Sequence, residues 1–263
     1  MRRIGWIALH TVREALRQRL LAAALFLAFG LVAGARFARD FNFGAPELKF
    51  IADVGLGAIG LFGAVLAVGL TVQLFMGDLE RGTVFTLLAR PVGRAEFVVA
   101  KFLGVVVVVV GYCAVFIALL VVVLWARETE LLPAEAGQLP PAQIVAYGAV
   151  LVAGLLLACK LALTAAMTLL IASYARTATF ATLMGWLMLV ICHLQPFARS
   201  AAHWDSFLSR LMLGAVAGLI PNFQLFAMDA MAAGRIGGVA LYALGYVVAC
   251  VALATVCFRH REL

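Results

Sequence analysis

Lys160 stands alone in the apolar run between Ile144 and Ile171, and Thr164 and Thr168 follow it at four-residue intervals. Residues four apart share one face of a helix, so the three make a single polar stripe. A lysine at the centre of a membrane helix costs about 2.5–3.5 kcal/mol on insertion scales. Such a residue either draws an anionic group, such as a lipid phosphate or an acidic substrate, or is satisfied by a hydrogen bond from a neighbouring helix. The spacing leaves both open. Gln73 joins Lys160, Thr164 and Thr168 as a candidate lining of a translocation path, with Thr71 and His193 behind it. A lone Gln or His in such a setting more often makes a packing hydrogen bond than a ligand site.

Other patterns carry less chemistry than they promise. Cys113, Cys159, Cys192, Cys250 and Cys257 all fall within or at the ends of apolar runs, none in a C-x-x-C pair. They read as small buried apolar residues, and no metal site is assigned. Gly55-Leu56-Gly57-Ala58-Ile59-Gly60 matches the dinucleotide fingerprint, but that motif works only where a strand turns into a helix. Here it lies inside an apolar run, where glycines let helices approach closely, as Gly30 and Gly34 would in the first run. No phosphate-binding loop, zinc-protease motif or nucleophile elbow occurs, so no catalytic residue is assigned and no cofactor is expected on this chain. An energy-driven function needs an ATPase supplied by another chain.

The segment Gly77–Lys101 has a different kind of chemistry, that of a protein contact. Thr83 to Ala89 can form two helical turns with Val84, Leu87 and Leu88 on one face. Pro91 stops them, because the residue before a proline is pushed out of the helical region. Val92-Gly93 turns the chain and Arg94 restarts a helix. The result is a short helix rimmed by Asp78, Glu80, Arg81 and Arg90. A docking surface and a solvated connector both fit that pattern.

The elements that must hold these residues follow from composition. The chain has 263 residues and is 65% hydrophobic and 13% charged, with a mean hydropathy of +1.09. Soluble domains carry about 45–50% apolar and about 25% charged residues, so the excess must face lipid. Disorder is excluded, since disordered chains are poor in apolar residues. The net charge is +7 and the pI about 9.5. In a soluble chain that excess would suggest nucleic acid; here it is read along the membrane normal, and no nucleic-acid partner is expected.

The fold class expected is an all-α integral membrane protein, one domain over 1–263. Six stretches reach or approach the roughly 20 residues a span requires. They are Leu20–Ala35, Val54–Met76, Phe102–Trp125, Ile144–Ile171, Ala178–Leu194 and Ile236–Phe258. Residues 1–19 form an amphipathic interfacial helix rather than a cleavable signal. Its apolar arc is Ile4, Ala8, Leu9, Val12, Ala15 and Leu16; Arg2, Arg3, His10, Arg13, Glu14 and Arg17 make the wet arc. The loop 195–235 faces outward, its stretch Leu211–Ile220 being a short re-entrant or interfacial helix before Pro221-Asn222-Phe223. A seventh span there is the rival, and it would move Arg259 and Arg261 outside. With six spans, 12 of the 20 Lys and Arg residues flank the side of the termini and 7 the other, Lys160 lying within a span. The positive-inside rule then makes both termini cytoplasmic.

The run Glu80-Arg81-Gly82-Thr83, Leu87-Leu88-Ala89-Arg90-Pro91-Val92-Gly93-Arg94 and Lys101 resembles the signature of type-2 ABC transporter permeases. The amphipathic N-terminus, six spans and outward Pro-Asn-Phe segment agree over the whole chain. Within the family the chain is most similar to compact permeases such as that of the nitrous-oxide-reductase maturation transporter. The resemblance implies a permease of an ATP-driven exporter in the inner membrane, pairing with a second copy or close relative. Two cytosolic ABC ATPase subunits would bind ATP and Mg. Loop 77–101 would be the coupling contact, through Asp78, Glu80, Arg81, Gly82, Thr83, Leu87, Pro91 and Arg94, and the N-terminal helix a second contact. Two other classes stay open: an ATP-independent carrier or channel, and a membrane scaffold for envelope assembly or redox-enzyme maturation.

Overall fold

In a bilayer core no water is present to bond free backbone groups, so an apolar chain crosses it as helix. The described elements follow that rule. A computed structural model describes residues 2–34, 47–82, 93–134, 146–200, 220–226 and 236–260, of which residues 2, 3, 132–134 and 196–200 are described in backbone only. In chain order they form α1 (Arg2–Leu16), α2 (Arg19–Gly34), α3 (Glu47–Glu80), α4 (Arg94–Ala134), α5 (Tyr147–Tyr174), α6 (Ala178–Ser200) and α7 (Ile236–Arg259). Among the described residues a 3-10 turn, Phe223–Phe226, lies between α6 and α7.

Five of these helices, α3 to α7, are long and apolar enough to cross a membrane. A sixth is reached if α1 and α2 count as one span bent by 62°. That bend falls at Arg17-Gln18, where Arg17 and Gln18 bond the carbonyls of Glu14 and Ala15 at 3.1 and 3.0 Å and end the first helix. The expected second and third spans are overrun by α3 and α4, with 34 and 41 residues. At 1.5 Å per residue these reach about 51 and 62 Å, well beyond a hydrocarbon layer of about 30 Å. Charged ends lower hydropathy without breaking a helix, and the ends of these two are fastened to each other.

α3, α4 and α5 pack mutually at the centre, α2 lies on α3, and α7 runs along α5 and the start of α4. Of the most apolar stretch of α3, 67% is buried, against 22% in α6 and 17% in α7. The outer two helices therefore leave most of their surface to whatever surrounds them. The glycine pattern packs only in part. A methyl at Gly55 or Gly63 would lie 2.4 Å from Leu120 or Leu161, but Gly30, Gly34 and Gly57 have nothing within 4 Å.

α1 departs from the arc expected for it. Thr11 and Ala15 are fully buried, whereas Leu9 and Leu16 are exposed with Trp6. The cause is Gly104 of α4, whose missing side chain lets α1 seat directly on it. A Cβ there would stand 2.6 Å from Thr11 Cβ and 3.0 Å from the Ala8 carbonyl. Thr11 turns its hydroxyl back to the Ile7 carbonyl at 2.9 Å, leaving its methyl for the contact.

Candidate functional site

The segment from Gly77 to Lys101 is anchored at both feet. α3 closes with Arg81 N–H on the Gly77 carbonyl and Gly82 N–H on that of Leu79, at 3.0 and 3.2 Å. Gly82 has a φ of 70°, the left-handed conformation that glycine adopts at a helix end. α4 opens with Gly93 N–H donating to the Glu96 carboxylate at 3.3 Å, a capping contact from the third helical residue. The short helix expected over Thr83–Ala89, with Thr83, Leu87, Arg90 and Pro91, lies outside the described residues.

Between the feet sits a buried charge junction. Lys101, its side chain 3% exposed, holds Asp78 at 2.7 Å and Glu14 of α1 at 3.4 Å. Arg81, largely exposed, reaches Glu14 at 3.6 Å. One lysine thus ties α1, the end of α3 and the start of α4 together. Asp78, expected on the rim of a docking surface, faces inward instead, because the buried ammonium must be matched. Glu80 and Arg81 remain exposed. Arg94 donates to the Arg259 carbonyl at 2.8 Å, binding the foot of α4 to the end of α7. Behind it Phe75, Phe97 and Phe258, all fully buried, form an aromatic triad with centroids 5.4 to 5.9 Å apart. Sequence reading missed Glu14, Lys101 and this triad as one unit; the signal available was an acid inside an otherwise basic N-terminal helix.

The far end of the α3–α4 pair is fastened separately. Arg127 bonds both Glu47 carboxylate oxygens, at 2.8 and 3.3 Å, and Glu130 one turn on at 2.8 Å. Tyr147, opening α5, donates to Glu128.

Lys160 sits fourteen residues from Tyr174 and thirteen from Tyr147, so about 20 Å of helix separates it from either end of α5. It lines a cavity of about 490 Å³ between α3, α5 and α6. Its Nζ lies 2.9 Å from His193 Nε2 and 5.3 Å from the centre of the Phe223 ring. His193 Nδ1 is 2.9 Å from the Leu189 carbonyl, which can only accept. A proton therefore sits on Nδ1, and with Lys160 as an ammonium, which can only donate, Nε2 is the acceptor and the ring is neutral. Phe223 meets the imidazole edge-on at 5.2 Å. It is carried there by a turn in which Gln224 N–H bonds the Asn222 side chain at 2.9 Å and Asn222 N–H bonds Tyr242 Oη at 3.0 Å. Among the described residues no carboxylate pairs with Lys160.

Of the threonine stripe, Thr164 lines the same cavity and Thr168 does not. Thr164 and Thr168 donate to the carbonyls of Lys160 and Thr164, at 3.0 and 2.8 Å, and both are buried. Their hydroxyls are spent on their own helix. Gln73 lies on the exposed face of α3, away from the Lys160 cavity. His193, ranked behind Lys160 by sequence, is its direct partner, and Phe223, noted in the sequence only within the Pro221-Asn222-Phe223 segment, is its aromatic neighbour. Among the described residues no group of three His, Cys, Asp or Glu is placed to hold a metal.

No curated relative matches the chain. A family model does: that of the ABC-2 family transporter proteins, over residues 6–263. A match of that extent agrees with an all-helical bundle whose helices are fit to cross a bilayer. The chain belongs to the ABC-2 transporter family, as the multi-pass membrane component of an ABC transporter.

Proposed function

We propose that this chain is the permease of an ATP-driven exporter in the inner membrane, with cytoplasmic termini and loop 77–101 as its coupling contact. The charge junction at Lys101 carries the reading. It makes the feet of that loop, α1 and the long helices α3 and α4 one mechanical unit, so a push on the loop moves helices that span the bilayer. Glu80 and Arg81 stand exposed at its edge, available to a partner, while Asp78 holds the base.

Two separate ATPase subunits supply ATP and Mg chemistry, and the sparsely covered faces of α6 and α7 suit lipid and a second permease copy. The resemblance to the compact permeases belongs to this proposal as a guide to architecture; their cargo is not carried over. A pull-down of the tagged protein from native membranes in mild detergent tests the reading. A stoichiometric soluble chain with a nucleotide-binding loop is expected, and it should be lost when Glu80 and Arg81 are charge-reversed. Intact, folded protein with no such partner would favour an ATP-independent carrier or a scaffold.

A further inference from the structure

The Lys160 cavity departs from the way a membrane helix normally satisfies a lysine. Near its ends a helix lets lysine reach the interface, but Lys160 is about 20 Å along α5 from both. Deep inside, a charged residue is expected to meet an opposite charge. Here, among the described residues, it meets an imidazole and the face of a phenyl ring, which orient and partly stabilise the ammonium without neutralising it. Apart from Thr164, whose hydroxyl is bonded to the Lys160 carbonyl, the rest of the lining is predominantly apolar, with Leu56, Leu157, Leu161 and Leu189 among it. Leu61, Val190 and Leu194 also line it and are 58, 48 and 53% exposed, so the cavity opens sideways through an apolar rim. Whatever enters by that rim arrives from a hydrocarbon phase.

We propose that this cavity binds the negatively charged headgroup of a membrane amphiphile, held by Lys160 with His193 and Phe223 fixing the ammonium, while its aliphatic tail stays in the apolar groove and rim. A bilayer lipid at rest keeps its headgroup at the interface. A headgroup at the depth of Lys160 belongs to an amphiphile in transit, which makes an anionic amphiphile the class of cargo. This identity of cargo rests on the permease reading; the binding site does not.

The test uses the full chain in nanodiscs with two photo-reactive lipids of identical tails, one phosphatidic acid and one phosphatidylcholine. Labelling by the anionic probe is expected on α5, α6 and the Pro221–Phe226 segment. A charge-assisted contact of this kind corresponds to about ten-fold or more in binding. Lys160→Met should therefore cut that labelling at least about ten-fold, and Lys160→Arg should restore most of it. Equal labelling by both lipids in the unmodified protein overturns the proposal without any variant, so a poorly folded Lys160→Met does not decide it. Labelling unaffected by a folded Lys160→Met also overturns it. So would a protomer-to-protomer disulfide from Val190→Cys with no lipid labelling, which would assign the cavity to a contact between copies. The binding measurement needs no ATPase. Labelling without an ATPase partner would refute the permease reading alone, and an ATPase partner without labelling would refute this inference alone.

Discussion

Two lysines sit within the helical bundle, Lys101 buried and Lys160 half-buried on a cavity wall, and they are treated in opposite ways. Lys101 is met by two carboxylates from two other helices, Asp78 at 2.7 Å and Glu14 at 3.4 Å. Lys160 is met by a neutral ring nitrogen and an aromatic face beside a cavity of about 490 Å³. Burying an ammonium is costly in either place, and matching it with carboxylates fixes geometry while leaving it unmatched leaves a demand for an anion. Lys101 is architecture. Lys160 is the group we propose as a binding site.

The largest effect that separates them is on stability. Lys101→Met removes the buried ammonium that Asp78 and Glu14 share, and breaking a buried pair costs about 3–5 kcal/mol. Thermal unfolding in detergent should show a large drop in midpoint, with α1 released to protease. Gly104→Ala attacks the same assembly through packing. The added methyl meets the Ala8 carbonyl as well as Thr11, and overpacking of this kind costs about 1–3 kcal/mol. Limited proteolysis between α1 and α2 should then accelerate while the bundle stays folded.

Arg81→Glu sharpens the contrast from the surface. Its pair with Glu14 is exposed, and such pairs contribute about 0–1 kcal/mol, so the unfolding midpoint should hardly move while retention of the ATPase falls. Lys160→Met should have the smallest effect on stability, neutral or slightly stabilising, because it removes a charge that no carboxylate among the described residues matches. A drop as large as that of Lys101→Met would show that Lys160 is structural.

How much of this was readable in the sequence depends on how far apart the partners lie. Pro91 and Gly93 marked where α4 restarts, and Arg94 does open it, because local backbone preference decides such a point. Lys160 was visible as a lone charge in an apolar run. Its surroundings were not: His193 is 33 residues away, and Phe223 comes from a turn that only the packing of α5, α6 and α7 brings inward. The same holds for Lys101, whose partner Glu14 is 87 residues distant. Helical periodicity assigned Glu14 to the wet face of α1, and the docking of that helix on Gly104 turned it toward Lys101 instead. Hydropathy placed the apolar runs but underestimated α3 and α4, since Glu47 and Arg127 continue their helices as an ion pair rather than ending them.

Native mass spectrometry of the complex released from its own membranes reads both halves of the account at once. The unmodified protein should carry ATPase subunits and an additional anionic amphiphile. Lys160→Met should keep the same ATPase stoichiometry and lose the amphiphile. Retention of the amphiphile in Lys160→Met, or loss of the ATPase together with it, would contradict the division between a lysine that builds the molecule and a lysine that binds its cargo.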